Sequence, residues 1–261
     1  MSWPDRFDIV LVAFRWLEYA GLIGFIGVVV VRRLAGMTPA LHWARPSMVP
    51  ALVAALIGGL GVVITEAARD WRLDGAAVIV VAAEGVALLL CLFVRRWVVP
   101  PAIFAAVALP FGGHAAGLNP ALGAIFPDSA GAISMDALHI LSAGAWAGGI
   151  LVLATLFPPG GWGGAEGRTM LERFGRVAFV AFAITALTGV LRATAGLRDL
   201  SDLWTTEYGL VLSAKTAGVL VMVAMSALVF RRGSPYARYE ALVVLLVLAA
   251  TAVLAVSQVP H

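Results

Sequence analysis

Long apolar runs alternate along the chain with short stretches rich in Arg, Asp, Pro and Gly. A helix needs about 20 apolar residues to cross the hydrocarbon core of a membrane, because it rises about 1.5 Å per residue. Runs of roughly this length predict eight spans, over residues 8–31, 48–66, 76–94, 98–113, 134–157, 174–192, 209–230 and 238–258. Three prolines, Pro100, Pro101 and Pro110, interrupt the fourth run. The pattern therefore predicts an all-α, polytopic membrane helix bundle, with residues 1–261 forming a single membrane domain.

The composition supports lipid as the surroundings of most of this chain. Hydrophobic residues make up 61% of the 261 residues, charged residues only 13%, and the mean hydropathy is +0.96. Soluble domains are about a quarter charged, so an ordinary soluble protein is excluded. The single cysteine, Cys91, excludes an intramolecular disulfide and any Cys-x-x-Cys motif.

The distribution of basic residues between alternate connections predicts the orientation. Connections that follow odd-numbered spans hold eleven Arg residues, whereas the opposite side holds five. Because cytoplasmic loops collect Lys and Arg, both termini are predicted to lie outside, on the periplasmic side. The basic residues are spread over several short loops, so the net charge of +3 indicates no nucleic-acid partner.

Four charged residues lie well inside the apolar spans, several residues from either end: Arg15, Glu18, Glu84 and Lys215. In the predicted orientation all four lie roughly 9–17 Å below the outer surface, at about 1.5 Å per residue. Charges at this depth are costly in lipid and usually pair with one another or face water. The sequence therefore predicts an intramembrane polar network near the outer end of the bundle. Its alternative is a purely structural set of charges with Lys215 extending to the interface.

Two histidines fall in the outer third of the predicted bundle. His114 closes the fourth span and His139 lies in the first turns of the fifth, so the two side chains are within reach of one another. Met135 precedes His139 by four residues and shares its helical face. His261 is also predicted to lie outside. The alternative is an interfacial histidine bonded to a carbonyl or to water, and spacing alone does not decide between the two.

Two further motifs have packing explanations. In TTEYGLVLSAK, Thr205 or Thr206 is suited to cap the next helix. In GAWAGG, Gly144 and Gly148 predict a ridge of small residues for close helix contact. Trp146 follows His139 by seven residues on the same face and is interpreted first as a packing residue.

The residues from Arg173 to Arg232 resemble the conserved domain of the copper-resistance protein D family of inner-membrane proteins. The matching positions are Arg173-Phe174, Thr188-Gly189, Asp202-Leu203, Thr206, Tyr208, Gly209, Leu212 and Lys215. Upstream, GGHAAG and DALHILSAGAWAGG are similar to the family's Gly-His-Ala and Leu-His segments. The resemblance covers residues 98–258, with weaker support over residues 1–97. Glu18 stands before Tyr19 where many relatives carry a histidine.

This resemblance implies a multi-pass protein of the bacterial inner membrane that imports copper or supports copper homeostasis. It also implies a partnership with a periplasmic copper-binding protein. The sequence contains no Walker motif or catalytic triad, so a transporter is expected and an enzyme is not. Combined with the depth of the histidines, the resemblance predicts a copper ion bound by His114 and His139. A third ligand is expected from Met135, His261, an acidic side chain or water.

Two other functions remain open from the sequence. His114 and His139 are also suitable axial ligands of a b-type haem, as in a membrane cytochrome or a quinone-linked redox subunit. The glycine-rich helix faces and short loops are equally typical of a structural subunit of a larger membrane complex. A visible absorption spectrum distinguishes haem from copper, because only haem gives a Soret band.

Overall fold

A computed structural model describes residues 6–70, 74–94, 96–109, 129–197, 199–232 and 237–256. Within these residues the chain is helical and has no strand. Ten α-helices are described: α1 Arg6–Gly36, α2 Val49–Asp70, α3 Gly75–Leu89, α4 Val99–Ala108, α5 Ser129–Ala143, α6 Gly149–Leu153, α7 Ala165–Gly196, α8 Asp202–Thr205, α9 Glu207–Arg232 and α10 Ala237–Val256. Two π-helical segments, Leu90–Val94 and Gly144–Gly148, extend α3 and join α5 to α6.

Seven helical stretches in the described part of the chain are long and apolar enough to cross a membrane. They correspond to seven of the eight predicted apolar runs, with α5, the second π-helical segment and α6 forming one stretch. The predicted all-α membrane bundle is therefore confirmed.

The fourth predicted span differs from the others. Its described part is α4, a helix of 10 residues, which is about half the length needed to cross the hydrocarbon core. Pro100 and Pro101 occupy the first turn of α4, where the missing N–H groups have no helical acceptor in any case. These prolines therefore begin the helix and do not interrupt it. Pro110 lies outside the described residues.

Helix α1 lies at the centre of the bundle, where it contacts α2, α10 and the Gly144–Gly148 segment. Close packing against this segment depends on Gly148. A Cβ atom on Gly148 would lie 2.8 Å from the carbonyl carbon of Ile23 and 3.2 Å from the backbone nitrogen of Gly27. A Cβ on Gly144 would likewise meet a side chain of α1. The predicted ridge of small residues is therefore confirmed as the surface that receives α1.

The outer faces of the bundle are apolar. Large side chains there are well exposed, among them Phe179 at 74%, Leu220 at 64% and Leu246 at 69%. Exposed apolar surface on this scale is typical of helices that face acyl chains. Apart from Glu240 on α10, the buried polar side chains of the described residues lie on α1, α2, α3, α5 and α7, and these helices build the candidate site.

Candidate functional site

An ion-pair network joins α1 to α2 inside the bundle. The Arg15 guanidinium donates from Nη1 to Glu18 Oε2 at 3.1 Å and from Nη2 to Glu66 Oε1 at 3.0 Å. The Glu18 side chain is only 2% exposed, whereas Glu66 is 24% exposed. Arg15 thus neutralises a deeply buried carboxylate and a second one that retains access to water.

Glu84 lies beside this network without pairing to it. It is fully buried, and neither carboxyl oxygen has a hydrogen-bond partner among the described residues. A Cβ on Gly59 would be 2.6 Å from Glu84 Oε2 and 3.3 Å from Glu18 Oε1, so these oxygens are no more than about 6 Å apart. The structure therefore brings together Arg15, Glu18 and Glu84, three of the four charged residues singled out in the sequence.

Lys215 lies apart from these three residues. It lines a groove of about 350 Å³ between α9 and α10, together with apolar side chains such as Val243 and Val247. Helix α9, which carries Lys215, packs mainly against α8 and α10. The carboxylate part of the predicted network therefore lies around Arg15, and Lys215 belongs to a different part of the bundle.

His139 is held by two adjacent residues of α7. Its Nδ1 is 2.8 Å from Thr188 Oγ1. The next residue, Gly189, has no side chain, and a Cβ there would lie 3.4 Å from His139 Cε1. Thr188 and Gly189 are the Thr-Gly pair noted in the sequence. The structure gives that pair a physical role, because Thr188 bonds the imidazole and Gly189 lies against it at van der Waals distance.

The hydrogen bonds of Thr188 define which nitrogen of His139 carries the proton. The Thr188 hydroxyl donates its only proton to the Ile184 carbonyl at 2.7 Å, with Thr185 O at 3.1 Å as a weaker acceptor. While the hydroxyl donates to Ile184, the same oxygen is placed to accept from the Nδ1–H of His139, so this arrangement favours the Nδ1-protonated tautomer. In a neutral imidazole this leaves Nε2 unprotonated, with a lone pair available to a metal ion. A partner that fixes the tautomer in this way is characteristic of metal-ligating histidines.

Polar contacts extend along the interface between α5 and α7 on both sides of His139. One turn further into the bundle, the Thr185 hydroxyl donates to Ser142 Oγ at 2.8 Å. One turn closer to the start of α5, Arg192 Nη1 donates to Asp136 Oδ1 at 3.1 Å. The Asp136 side chain is 10% exposed and that of Arg192 is 40% exposed, so this ion pair lies at the edge of the bundle.

The other predicted metal ligands are only partly described. Met135 is half-buried and lies one helical turn before His139 on α5. His114 and His261 lie outside the described residues. Among the residues that the structure does describe, no group of three or more His, Cys, Asp or Glu side chains is arranged to hold a metal ion. Of the three predicted histidine ligands, only His139 lies within the described residues, together with the side chains that contact it.

Trp146 has a packing role in the described structure. It is 5% exposed and makes an edge-on contact with the Phe182 ring, with ring centroids 4.8 Å apart. It belongs to the π-helical segment that begins five residues after His139. Such segments often occur at functional sites, where they change the direction of the side chains around them.

The TTEYGLVLSAK motif builds the start of α9. Thr206 Oγ1 accepts a hydrogen bond from the Gly209 backbone N–H at 3.0 Å and donates to Asp202 O at 2.7 Å. A Cβ on Gly209 would lie 2.7 Å from Leu203 Cα, so a larger residue would push α8 away. Of the two predicted caps, Thr206 is the one that the structure uses.

Sequence reasoning missed Glu66 and the partners of His139. Thr185, Thr188 and Arg192 follow one another at helical spacing and so share one face of α7. Asp136 and His139 share a face of α5 in the same way. A search for polar residues at helical spacing within each apolar run identifies both faces, although it does not show that they meet.

Comparison with known families assigns the carboxyl-terminal part of the chain. Residues 168–257 match the family model for copper resistance protein D. The resemblance seen in the sequence is confirmed over this stretch. No curated protein and no solved structure matches the chain.

The matched residues include most of α7 and the whole of α9, and therefore Thr188, Gly189 and Lys215. His139, Arg15 and Glu84 precede the match. Together with the seven membrane-spanning stretches, this match supports a multi-pass membrane protein of copper resistance or homeostasis.

Proposed function

We propose that this protein carries copper ions inward across the bacterial cytoplasmic membrane and that His139 binds the ion on the outward side. The main support is the set of contacts that Thr188 and Gly189 make with His139, here called its seat. In this seat Thr188 bonds Nδ1, and Nε2 keeps a free lone pair. Imidazole is a suitable ligand for copper in both of its common oxidation states. The copper resistance domain supplies this seat, because Thr188 and Gly189 lie within the matched residues.

A single imidazole is too weak to hold an ion, so further ligands complete the proposed site. Met135, one turn before His139, offers a thioether that favours the cuprous ion. His114 and His261 are the remaining candidates, with a periplasmic copper-binding protein as the donor of the ion. A set completed by neutral, exchangeable ligands suits a transporter, since the ion must also leave.

Lys215 makes the proposed binding reversible. Its positive charge would repel a cation bound to the Nε2 of His139 within the same bundle. The neighbouring Arg192 is neutralised by Asp136, so Lys215 contributes the main repulsion. The site is therefore expected to hold copper more weakly than a closed structural site would.

The outward orientation of this site rests on the eleven-to-five distribution of basic residues. In a background with Cys91→Ser, a membrane-impermeant thiol reagent applied to intact spheroplasts should label Leu200→Cys but not Phe157→Cys. These two side chains are 70% and 77% exposed and follow successive spans. Labelling of Phe157→Cys alone would reverse the orientation and place His139 at the cytoplasmic end.

Copper binding and uptake test the proposal directly. His139→Ala should reduce copper retained by the purified protein at least tenfold and abolish copper uptake into proteoliposomes. The matched control is His42→Ala, because His42 is an exposed loop residue whose Nδ1 is 2.9 Å from Pro39 O. Equal copper binding by His139→Ala and the wild type would contradict the assignment. A Soret band in the wild type would favour the haem-binding alternative.

A further inference from the structure

The carboxyl group of Glu84 is the buried polar group that the proposed copper site does not use. The residue is 0% exposed, and neither Oε1 nor Oε2 has a hydrogen-bond partner within the described residues. An ionised carboxylate in such surroundings costs several kcal/mol unless it is paired. Glu84 therefore requires a ligand that neutralises its charge.

The charges around Glu84 do not provide that neutralisation. Arg15 and Glu18 are the charged side chains that act on Glu84. Arg15 already bonds Glu18 and Glu66, so a single guanidinium serves two carboxylates before Glu84 is counted. Glu66 is partly exposed and water can stabilise its charge. The buried pair Glu18 and Glu84 is left with an excess of negative charge.

The geometry of α2 brings these two carboxyl groups together. Gly59 separates them, and its missing side chain leaves the space in which Glu84 Oε2 and Glu18 Oε1 face one another. A Cβ at this position would be 2.6 Å from Glu84 Oε2. The two oxygens are no more than about 6 Å apart, and proton transfer between them requires a side-chain rotation that brings them within hydrogen-bond distance.

We propose that Glu18 and Glu84 form an intramembrane proton-binding site, in which Glu84 carries the proton as a neutral carboxylic acid. A metal ion at the same place would need a third ligand, and the described residues offer no cluster of three His, Cys, Asp or Glu side chains. The guanidinium of Arg15, bonded to Glu18, would also repel a cation there. A proton needs only the one oxygen that binds it.

Infrared difference spectroscopy of the purified protein in lipid tests the proton site without any copper. At neutral pH the wild type should show the C=O stretch of a protonated carboxylic acid, and Glu84→Gln should remove it. Glu172→Gln, at an exposed position of α7 outside this network, is the matched control and should leave the band unchanged. Glu240 is also buried and bonds Ser226, so Glu240→Gln identifies any band that it contributes.

A second variant keeps the test decisive if Glu84→Gln does not fold. Glu18→Gln retains Glu84 but replaces its nearest carboxylate by an amide, so the frequency of the Glu84 band should shift. A wild-type spectrum without a protonated-carboxyl band would overturn the proposal. The same conclusion would follow from a band that responds to neither Glu84→Gln nor Glu18→Gln.

Use of this site to couple proton movement to copper movement rests on the proposed function. In proteoliposomes with an internal pH indicator, copper uptake by the wild type should be accompanied by proton movement across the membrane, and Glu84→Gln should stop the proton movement. Copper uptake without proton movement in the wild type would exclude coupling. The absence of copper uptake would instead contradict the proposed function, and the infrared result would still stand.

Discussion

Replacing Thr188 by Val should weaken copper binding through His139 without removing any proposed ligand. Valine has nearly the shape of threonine, so the 2% exposed pocket stays filled while the acceptor for His139 Nδ1–H is lost. A buried donor left without an acceptor costs roughly 1–3 kcal/mol. In Thr188→Val the imidazole avoids this cost by changing tautomer, so that the proton lies on Nε2. That proton then blocks the nitrogen that is proposed to bind copper.

The expected loss of copper affinity follows from the lost hydrogen bond and from the change of tautomer. Loss of a hydrogen bond that orients a metal ligand typically reduces metal affinity about 10–100-fold. At about 1.4 kcal/mol for each factor of ten, this corresponds to roughly 1.4–2.8 kcal/mol, which agrees with the cost of the unpaired donor. Copper affinity is measured by titrating the purified protein against a chelator of known affinity.

Two variants separate this mechanism from a general disturbance of α7. Thr188→Ser keeps the hydroxyl and should bind copper almost as tightly as the wild type. Thr185→Val removes the neighbouring hydroxyl, which bonds Ser142 instead of His139, and should also have little effect. If Thr188→Val binds copper within about twofold of the wild type, or if Thr185→Val weakens binding as much, the tautomer argument is refuted.

Three further variants test the packing and the charges. Arg15→Met leaves the buried carboxylate of Glu18 without its partner and should lower the free energy of unfolding by about 3–5 kcal/mol. The control Arg33→Met changes an exposed residue and should alter the free energy of unfolding little. Both are measured by thermal or denaturant unfolding. Gly148→Ala should lower the unfolding temperature because its Cβ meets the backbone of α1, while Gly36→Ala, with open space around it, should not. Lys215→Met should tighten copper binding, because it removes a positive charge from the bundle that is proposed to bind the cation; weaker binding in that titration would contradict the repulsion.

The sequence predicts the membrane spans well because lipid imposes a simple requirement. Seven of the eight apolar runs form helices that are long enough to cross, but the helices extend past the runs. Helix α7 begins at Ala165, nine residues before the predicted start at 174, and this extension contains Arg168 and Glu172. Polar residues end an apolar run without ending a helix, so hydropathy underestimates helix length wherever a helix continues into water.

The candidate site is less predictable because its contacts join distant segments. Depth alone suggested that Glu84 and Lys215 belong to one network, whereas the structure places Lys215 in a groove between α9 and α10. Depth fixes the position of a residue along the bundle axis but not around it. The contact between His139 and Thr188, which are 49 residues apart, depends on α5 facing α7, and a one-dimensional pattern does not carry that information.

The motifs of the matched segment divide into structural and chemical parts, and this division bears on where the proposed function lies. Thr206 and Gly209 shape the start of α9, whereas Thr188 and Gly189 make the seat for an imidazole that α5 supplies. A copper resistance domain limited to residues 168–257 would therefore present the seat without His139. The carboxylate pair on α1 and α3 lies still further from the match. The chemistry proposed for this protein thus requires the helices before the matched segment, which supply the reactive groups that the domain holds in place.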